Sequence, residues 1–299
     1  MNLIRARKFT YAISIILVLA SIVALSVYKL KLGIDFTGGA ILEAEYDLST
    51  GGFPEIQKVQ EKMSSLGLGD VRVQRAGERG VIVRTRDLSE EEHQKVSTAL
   101  MQFGKAKELR FDSIGPTIGR ELRNRSLWAI LGVLVMIVLY IAWAFRKVSK
   151  PVSSWFYGLF AVVALFHDIL IPLGVFSILG KFKGVEIDTL FVTAILTVLG
   201  FSIHDTIVVF DRVRENLRIQ NKTETFEETV GRSLSQTLTR SINTSLTVFI
   251  VLVALFFVGS ESTKYFSLAL IIGVISGTYS SIFIASSLLV TWNNFRSRA

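Results

Sequence analysis

Cysteine is absent from the 299-residue chain, which excludes disulfides, thiolate metal sites and a cysteine nucleophile. The absence identifies no compartment. Also missing are a Walker loop, a dinucleotide fingerprint, an HExxH pair and a spacing suited to a nucleophile–base–acid triad. Nucleotide bound by this chain is therefore not an expected energy source. An enzymatic reading has no support, and no cofactor or metal is implied. Proline is scarce as well, with four in the chain.

What is present is apolar. Half the residues are hydrophobic, the mean hydropathy is positive and the net charge is +8. Several long uncharged runs make this a multispanning membrane protein in the lipid bilayer. The basic excess sits mostly beside those runs, where cytoplasmic flanks are expected to be positive. It is not a sign of nucleic acid.

Arg5, Arg7 and Lys8 precede an uncharged run, Phe9–Tyr28, long enough to cross the hydrocarbon core. A cleavable signal peptide is the competing reading, but the run exceeds the usual signal core of about 7–15 residues. An uncleaved anchor is favoured. Residues 30–125 then read as a small α+β domain. Ile41–Tyr46 alternates as a strand does, and Pro54–Leu66 places Ile56, Val59, Met63 and Leu66 on one helical face. Val71–Gln74 and Val81–Thr85 form a pair of strands joined by Arg75–Gly80. Ser89 followed by three glutamates marks a helix start, with Val96, Leu100 and Phe103 buried and His93 on a polar, solvated face. Lys107–Ser113 supplies the last strand. The order β-α-β-β-α-β is a ferredoxin-like pattern.

Gly115-Pro116 ends this domain and Thr117–Arg125 is a short charged helix. Five spans follow: Ser126–Phe145, Val152–Gly180, Thr189–Phe210, Ser241–Ser260 and Tyr265–Phe295. Lys147 and Lys150 flank the second span, and Lys222 lies in the polar segment after the fourth. Arg298 closes the tail. With six spans the N-terminus, the 146–150 connection, the 211–239 loop and the C-terminus share one side. Being rich in Lys and Arg, that side is the cytoplasm. The organisation expected is a cytoplasmic N-terminal segment with its span (1–29), an extracytoplasmic domain with its junctions (30–125), and a five-helix membrane domain with a cytoplasmic loop (126–299).

Asp205 is the leading functional candidate. An ionisable residue inside a span is costly, commonly faces a protein interior, and marks a functional site by default. Burial favours its neutral form and a nearby cation its anion, so small geometric changes shift its protonation. Arg240, heading the fifth span, is the obvious cation because guanidinium keeps its proton. Asn243, Thr244 and Thr247 continue from it at helical spacing. The bland alternative is that Asp205 only makes an interhelical ion pair or hydrogen bond. His204 points about 100° away on a helix, leaving packing and proton relay evenly balanced. His167-Asp168 in the third span is a further pair, with a supporting role in a polar pathway or a helix contact. Asp211 and Arg212 read as interfacial or helix-end charges.

Gly273 and Gly277 form a GxxxG spacing that permits close helix approach in lipid, with Ser280 and Ser281 beyond. Gly33-Ile34-Asp35-Phe36-Thr37-Gly38-Gly39 follows the first span. Its paired glycines suit unusual dihedrals or close approach, and Asp35 reads as a turn-capping residue.

Taken together, Gly33–Gly39, Gly115-Pro116-Thr117-Ile118-Gly119, Ser202–Arg212 and Leu238–Thr244 resemble the SecF proteins of the bacterial SecD/SecF family, within the resistance–nodulation–division superfamily. The resemblance covers essentially the whole chain. It implies a plasma-membrane protein with SecD as partner, beside the Sec channel (SecY, SecE, SecG), acting on SecA-driven preprotein and powered by protons or by sodium. It also implies that Asp205 and Arg240 form the proton relay. The family usually has Asn where this chain has His204, so the pH dependence of this version is expected to differ. Two other readings stay open: half of a proton-coupled small-molecule exporter, and a structural subunit that moves no protons.

Overall fold

The structure, a computed structural model, describes residues 4–47, 49, 52–146, 152–219, 223–259 and 261–297. Lys147, Lys150, Lys222, Ser260 and Arg298, named above, lie outside the described residues. The chain divides into two compact units, Leu32–Leu127 and, together, Met1–Lys31 with Trp128–Ala299.

The smaller unit begins with a single helical turn, α2 (Ile34–Thr37), which follows the first long helix, α1 (Arg7–Tyr28). Then come β1 (Gly39–Tyr46), α3 (Ile56–Ser64), β2 (Arg72–Ala76), β3 (Gly80–Thr85), α4 (Glu90–Met101) and β4 (Ala106–Ile114). The strands make one antiparallel sheet in the order β2-β3-β1-β4. The β-α-β-β-α-β expectation is met. Period-2 alternation places Leu42, Ala44 and Tyr46 of β1 inward, where they pack with Val81 and Val83 of β3. Val59 and Met63 of α3 and Val96 and Leu100 of α4 cover them. The Tyr46 hydroxyl donates to the Leu100 carbonyl at 3.1 Å, and burial pushes its pKa up to about 12.

Local chemistry sets the α4 start as expected. The Ser89 hydroxyl accepts from the Glu92 amide, and the Glu92 carboxylate accepts from the Ser89 amide, a reciprocal cap. The Arg86 guanidinium on the same carboxylate holds Glu92 down at about 2.

Two readings of this unit need correction. Arg75 and Ala76 pair with Val81 and Gly80, so the hairpin turn is confined to residues 77–79. His93 is not solvated: it is 9% exposed. Its ring stacks on Phe111 of β4 with centroids 3.8 Å apart. Its Nε2 meets Glu108 at 2.9 Å, and Nδ1 meets Glu90 at 3.4 Å. The physical reason is helical spacing, since His93 lies three residues before Val96 and seven before Leu100, on the buried face. Burial alone would depress the imidazole, but the Glu108 and Glu90 carboxylates outweigh it and hold it above the ordinary histidine value.

The larger unit is a helical bundle, and among the described residues six helices are long and apolar enough to cross a membrane. After α1 these are α5 (Pro116–Ala144), which begins within the smaller unit, α6 (Ser154–Lys183), α7 (Thr189–Arg218) and α8 (Phe226–Val258). The last is a long rod of α9 (Glu261–Ser280), a π turn (Ser281–Ala285) and α10 (Ser286–Arg296). Three boundaries differ from the sequence reading. The charged stretch 117–125 is continuous with the second span, because it has no Pro or Gly break at its junction. The 211–239 segment is mostly helical: α7 runs on to Arg218 and α8 starts at Phe226 behind a Thr225–Glu228 capping box. Val213 and Asn216 of α7 and Val230, Ser233 and Leu234 of α8 are buried. Asn216 donates to Ser233 and Gln236 at 2.8 Å each. Amphipathic pairing of the two extensions replaces the expected loop.

Two outcomes are expected from the smaller unit. Because folded His93 holds its proton more tightly than an unfolded one, its bracket stabilises fully below about pH 6.5, the ordinary value. That contribution fades as pH rises through the elevated folded pKa. Hydrogen exchange of α4 and β4 amides, corrected for intrinsic rates, should accelerate over that window, and His93→Gln should flatten the dependence. An unchanged pH slope in the variant would remove His93 as its source. Gly39 has φ +129 and a Cβ there would fall 2.8 Å from the Thr85 carbonyl. Gly39→Ala should therefore destabilise the β1–β3 pairing by about 1–3 kcal/mol, read as faster exchange of β1 amides.

Candidate functional site

Asp188 starts α7 by accepting from the Phe191 amide at 2.8 Å. From there the buried face of the helix recurs through Ser202, Asp205, Thr206 and Val209, the i, i+3, i+4, i+7 stripe of an inward-facing side. Asp205 is 4% exposed, and its Oδ2 makes no hydrogen bond. Ser241 of α8 presents its hydroxyl toward this carboxylate. It is 1% exposed, and it too makes no hydrogen bond. Arg240, one residue earlier, is exposed, lies within electrostatic reach of Asp205, and forms no ion pair with it among the described residues.

The stripe that follows Arg240 points outward. Asn243 and Thr247 are exposed, Thr244 is half-buried, and His204 on α7 is exposed. The face of α8 turned inward carries Ser241 and Ser245 instead, with the Ser245 hydroxyl 2.6 Å from that of Thr278 on α9. Helical spacing revealed that the polar residues share a side. It carried no information on which side.

A second carboxylate lies deeper in the bundle. Asp168 of α6 is 0% exposed. Its Oδ2 accepts from Ser202 of α7 at 2.5 Å and from Ser280 of α9 at 2.7 Å. Its Oδ1 meets Nδ1 of His167 at 2.9 Å. His167 Nε2 is buried without a partner, while its ring stacks on Tyr279, whose hydroxyl donates to the Thr10 carbonyl of α1 at 2.8 Å. Around this centre, Thr206 and Ser281 hydroxyls lie 2.8 Å apart, and Ser281 also donates to the Ser202 carbonyl at 3.2 Å. Gly273 and Gly277 of α9 face Val198 and Ser202 of α7, where added Cβ atoms would fall 2.1 and 2.9 Å from those side chains.

The sequence reading missed Ser202 and Ser280 as donors to the Asp168 carboxylate, Ser276 as a contact of its backbone carbonyl, and Thr206 as the partner of Ser281. The available signal was small hydroxyl residues at three- and four-residue spacing on both helices, which alone also suits simple close packing. Among the described residues no group of three or more His, Asp or Glu side chains converges to hold a metal.

The glycine motif after α1 belongs to the smaller unit. The Gly33 carbonyl accepts from the Thr37 hydroxyl at 2.9 Å, Phe36 is buried, and Asp35 sits half-buried in the first turn of α2. Gly38 has φ +78, and a Cβ on it would lie 2.8 Å from Cα of Pro116. A Cβ on Gly119 would lie 2.8 Å from the Gly38 nitrogen. The paired glycines thus bring this turn against the first turn of α5, just beyond Gly115.

Comparison with known proteins agrees with this architecture. The family model described as protein export membrane protein SecD/SecF, C-terminal, matches residues 94–295, and the SecD/SecF GG motif matches residues 23–47. A protein translocase subunit SecF of Thermobaculum terrenum is 45% identical, over 98% of this chain and 94% of that one. One from Pseudomonas aeruginosa is 36% identical, over 99% and 92%. The crystal structure of SecDF, a translocon-associated membrane protein from Thermus thermophilus, superposes with a TM-score of 0.84 at 31% identity over 98% of this chain. This chain spans 39% of the length of that one. A SecDF structure in a super-membrane-facing form gives a TM-score of 0.70 at 30% identity. With six apolar helices and these relatives, the chain is a multi-pass protein of the bacterial inner membrane, and it belongs to the SecD/SecF family of protein-export membrane proteins.

Proposed function

We propose that this chain is the SecF-type subunit of a SecD–SecF pair that uses the proton-motive force to promote preprotein translocation through the Sec channel. Asp205 is the intramembrane proton carrier and Arg240 its counter-ion. The observation that carries the reading is the Asp205 carboxylate itself: buried, with one oxygen unsatisfied, and near a permanent cation it does not bond. A carboxylate kept only to bind α7 to α8 would be saturated, because a buried acceptor without a donor costs about 1–3 kcal/mol or more when charged. Asp205 is instead left able to gain a proton in one state and a guanidinium in another. The transmembrane potential supplies about 2.3 kcal/mol per elementary charge per 100 mV, enough to bias an equilibrium of a few kcal/mol.

The partner reading rests on the outward stripe. Arg240, Asn243, Thr247 and His204 are exposed on this chain alone, and charged or amide groups facing lipid are costly. A second polar helix surface would cover them, and a SecD chain is the partner that the SecDF relative suggests by its greater length. In this reading His204 belongs to the partner interface, and Asn243, Thr244 and Thr247 line the relay. His167 and Asp168 support it from within the bundle. The segments bearing Arg5, Arg7 and Lys8 and the α7–α8 connection are cytoplasmic, and residues 30–125 meet emerging preprotein on the other side. No covalent chemistry is required of the chain, and sodium in place of the proton would use the same carboxylate.

In inverted vesicles with an imposed proton gradient, Asp205→Asn should assemble with SecD yet lose the proton-dependent stimulation of secretion. Stimulation at the parent level would overturn the carrier role. The Asn243→Leu, Thr247→Leu double variant should recover several-fold less SecD by affinity purification. Undiminished recovery would mean the stripe faces lipid or another subunit.

A further inference from the structure

We propose that Asp168 is a positioning residue for Asp205, its buried carboxylate fixing the height of α7 against α9. The inference rests on the reading of Asp205 given above and deepens it. Asp168 is fully buried, where a charged carboxylate is tolerated only when its oxygens are met by donors. The donors come from three helices: His167 on its own α6, Ser202 on α7 and Ser280 on α9. Ser276 adds a longer contact from α9 to the Asp168 backbone carbonyl at 3.4 Å. One carboxyl group meeting partners on three helices ties α6, α7 and α9 at a single point, where each hydroxyl pair ties only two.

Its leverage on Asp205 follows from spacing. Ser202 stands three residues before Asp205 on the same buried face, less than one helical turn of 5.4 Å away. Any slide of α7 along α9 that changes what Asp205 meets also draws the Ser202 hydroxyl off Asp168. Sideways motion has little room, because Gly273 and Gly277 already admit Val198 and Ser202 to within side-chain contact. The Thr206–Ser281 pair and the Ser281 bond to the Ser202 carbonyl add a second tie beside Asp205. The ionisable groups facing this centre are His167 and, against its ring, Tyr279. Opening and closing of the α7–α9 seam is therefore gated by whether Asp168 keeps both hydroxyls.

The absence of cysteine allows spin labels at Thr197→Cys on α7 and Ile275→Cys on α9, both exposed positions, in the full chain with its SecD partner. In Asp168→Ala the interlabel distance should shift or broaden by about 2 Å, the size of ordinary helix shifts. Gradient-driven secretion should fall about tenfold, given the sensitivity of a reacting group to ångström displacement. Asp168→Asn keeps an oxygen for Ser202 and Ser280 and should restore the parent distance. Should Asp168→Ala fail to accumulate, Ser202→Ala with Ser280→Ala makes the same test while retaining the carboxylate. That pair should also raise the gradient needed for half-maximal stimulation, which a purely structural tie would leave unmoved. A parent-like distance in the alanine variants, or a half-maximal gradient unchanged in the serine pair, overturns the proposal. If Asp205→Asn keeps parent-level stimulation while Asp168→Ala still shifts the distance, it is the carrier reading that fails, and with it the role of Asp168 toward Asp205.

Discussion

The membrane unit depends on one constraint, that a carboxylate placed among apolar helices must find donors within the protein. Two carboxylates face this constraint on adjoining helices, and the chain meets it differently for each. Asp168 receives two serine hydroxyls and an imidazole nitrogen from three helices. Asp205 keeps an oxygen that receives nothing. A buried acceptor met by donors rigidifies its surroundings, and one left without a donor carries a cost. The contrast sets a fully met carboxylate oxygen on α6 beside an unmet one on α7.

Helix packing follows from this arrangement. Close approach of α7 and α9 through Gly273 and Gly277 brings their backbones near enough for short serine side chains to span the gap. Longer donors would not fit. The same close approach explains why α7 offers Ser202 rather than a larger amide at the position facing Asp168. On the other side of the bundle, α8 meets α9 through Ser245 and Thr278. Its longer polar side chains, Arg240 and Asn243, are directed out of the chain.

Much of the fold was legible in the sequence because hydrophobic periodicity and caps act locally. The six apolar runs, the Ser89 helix start and the split βαβ order all follow from residues a few positions apart. What escaped was whatever depends on a partner distant in sequence. Burial of His93 could be read from its spacing to Val96 and Leu100, but its carboxylate bracket needed Glu108 of β4. The extension of α7 and α8 through a polar stretch needed Asn216 to meet Ser233 and Gln236. Likewise the run of Asp205, Arg240, Asn243 and Thr247 was visible as a set of polar residues, while its division into a buried carboxylate and an outward stripe was fixed only by how α7 and α8 pack.

The π turn at Ser281–Ala285 gives the last step. Neighbouring residues on a regular helix point about 100° apart, and π insertions recur at functional positions because they redirect side chains. Ser280 closes the α-helical part of the rod and turns to Asp168 on α6. Ser281 opens the π segment and turns to Thr206 and the Ser202 carbonyl on α7. The Ser286 side-chain hydroxyl then donates back to the Ser281 carbonyl at 3.2 Å, across the π turn. Two consecutive serines thus serve two different helices, α6 and α7. The π turn thereby lets one rod hold α6 through Ser280 and α7 through Ser281 at adjacent positions, which regular α winding would point about 100° apart.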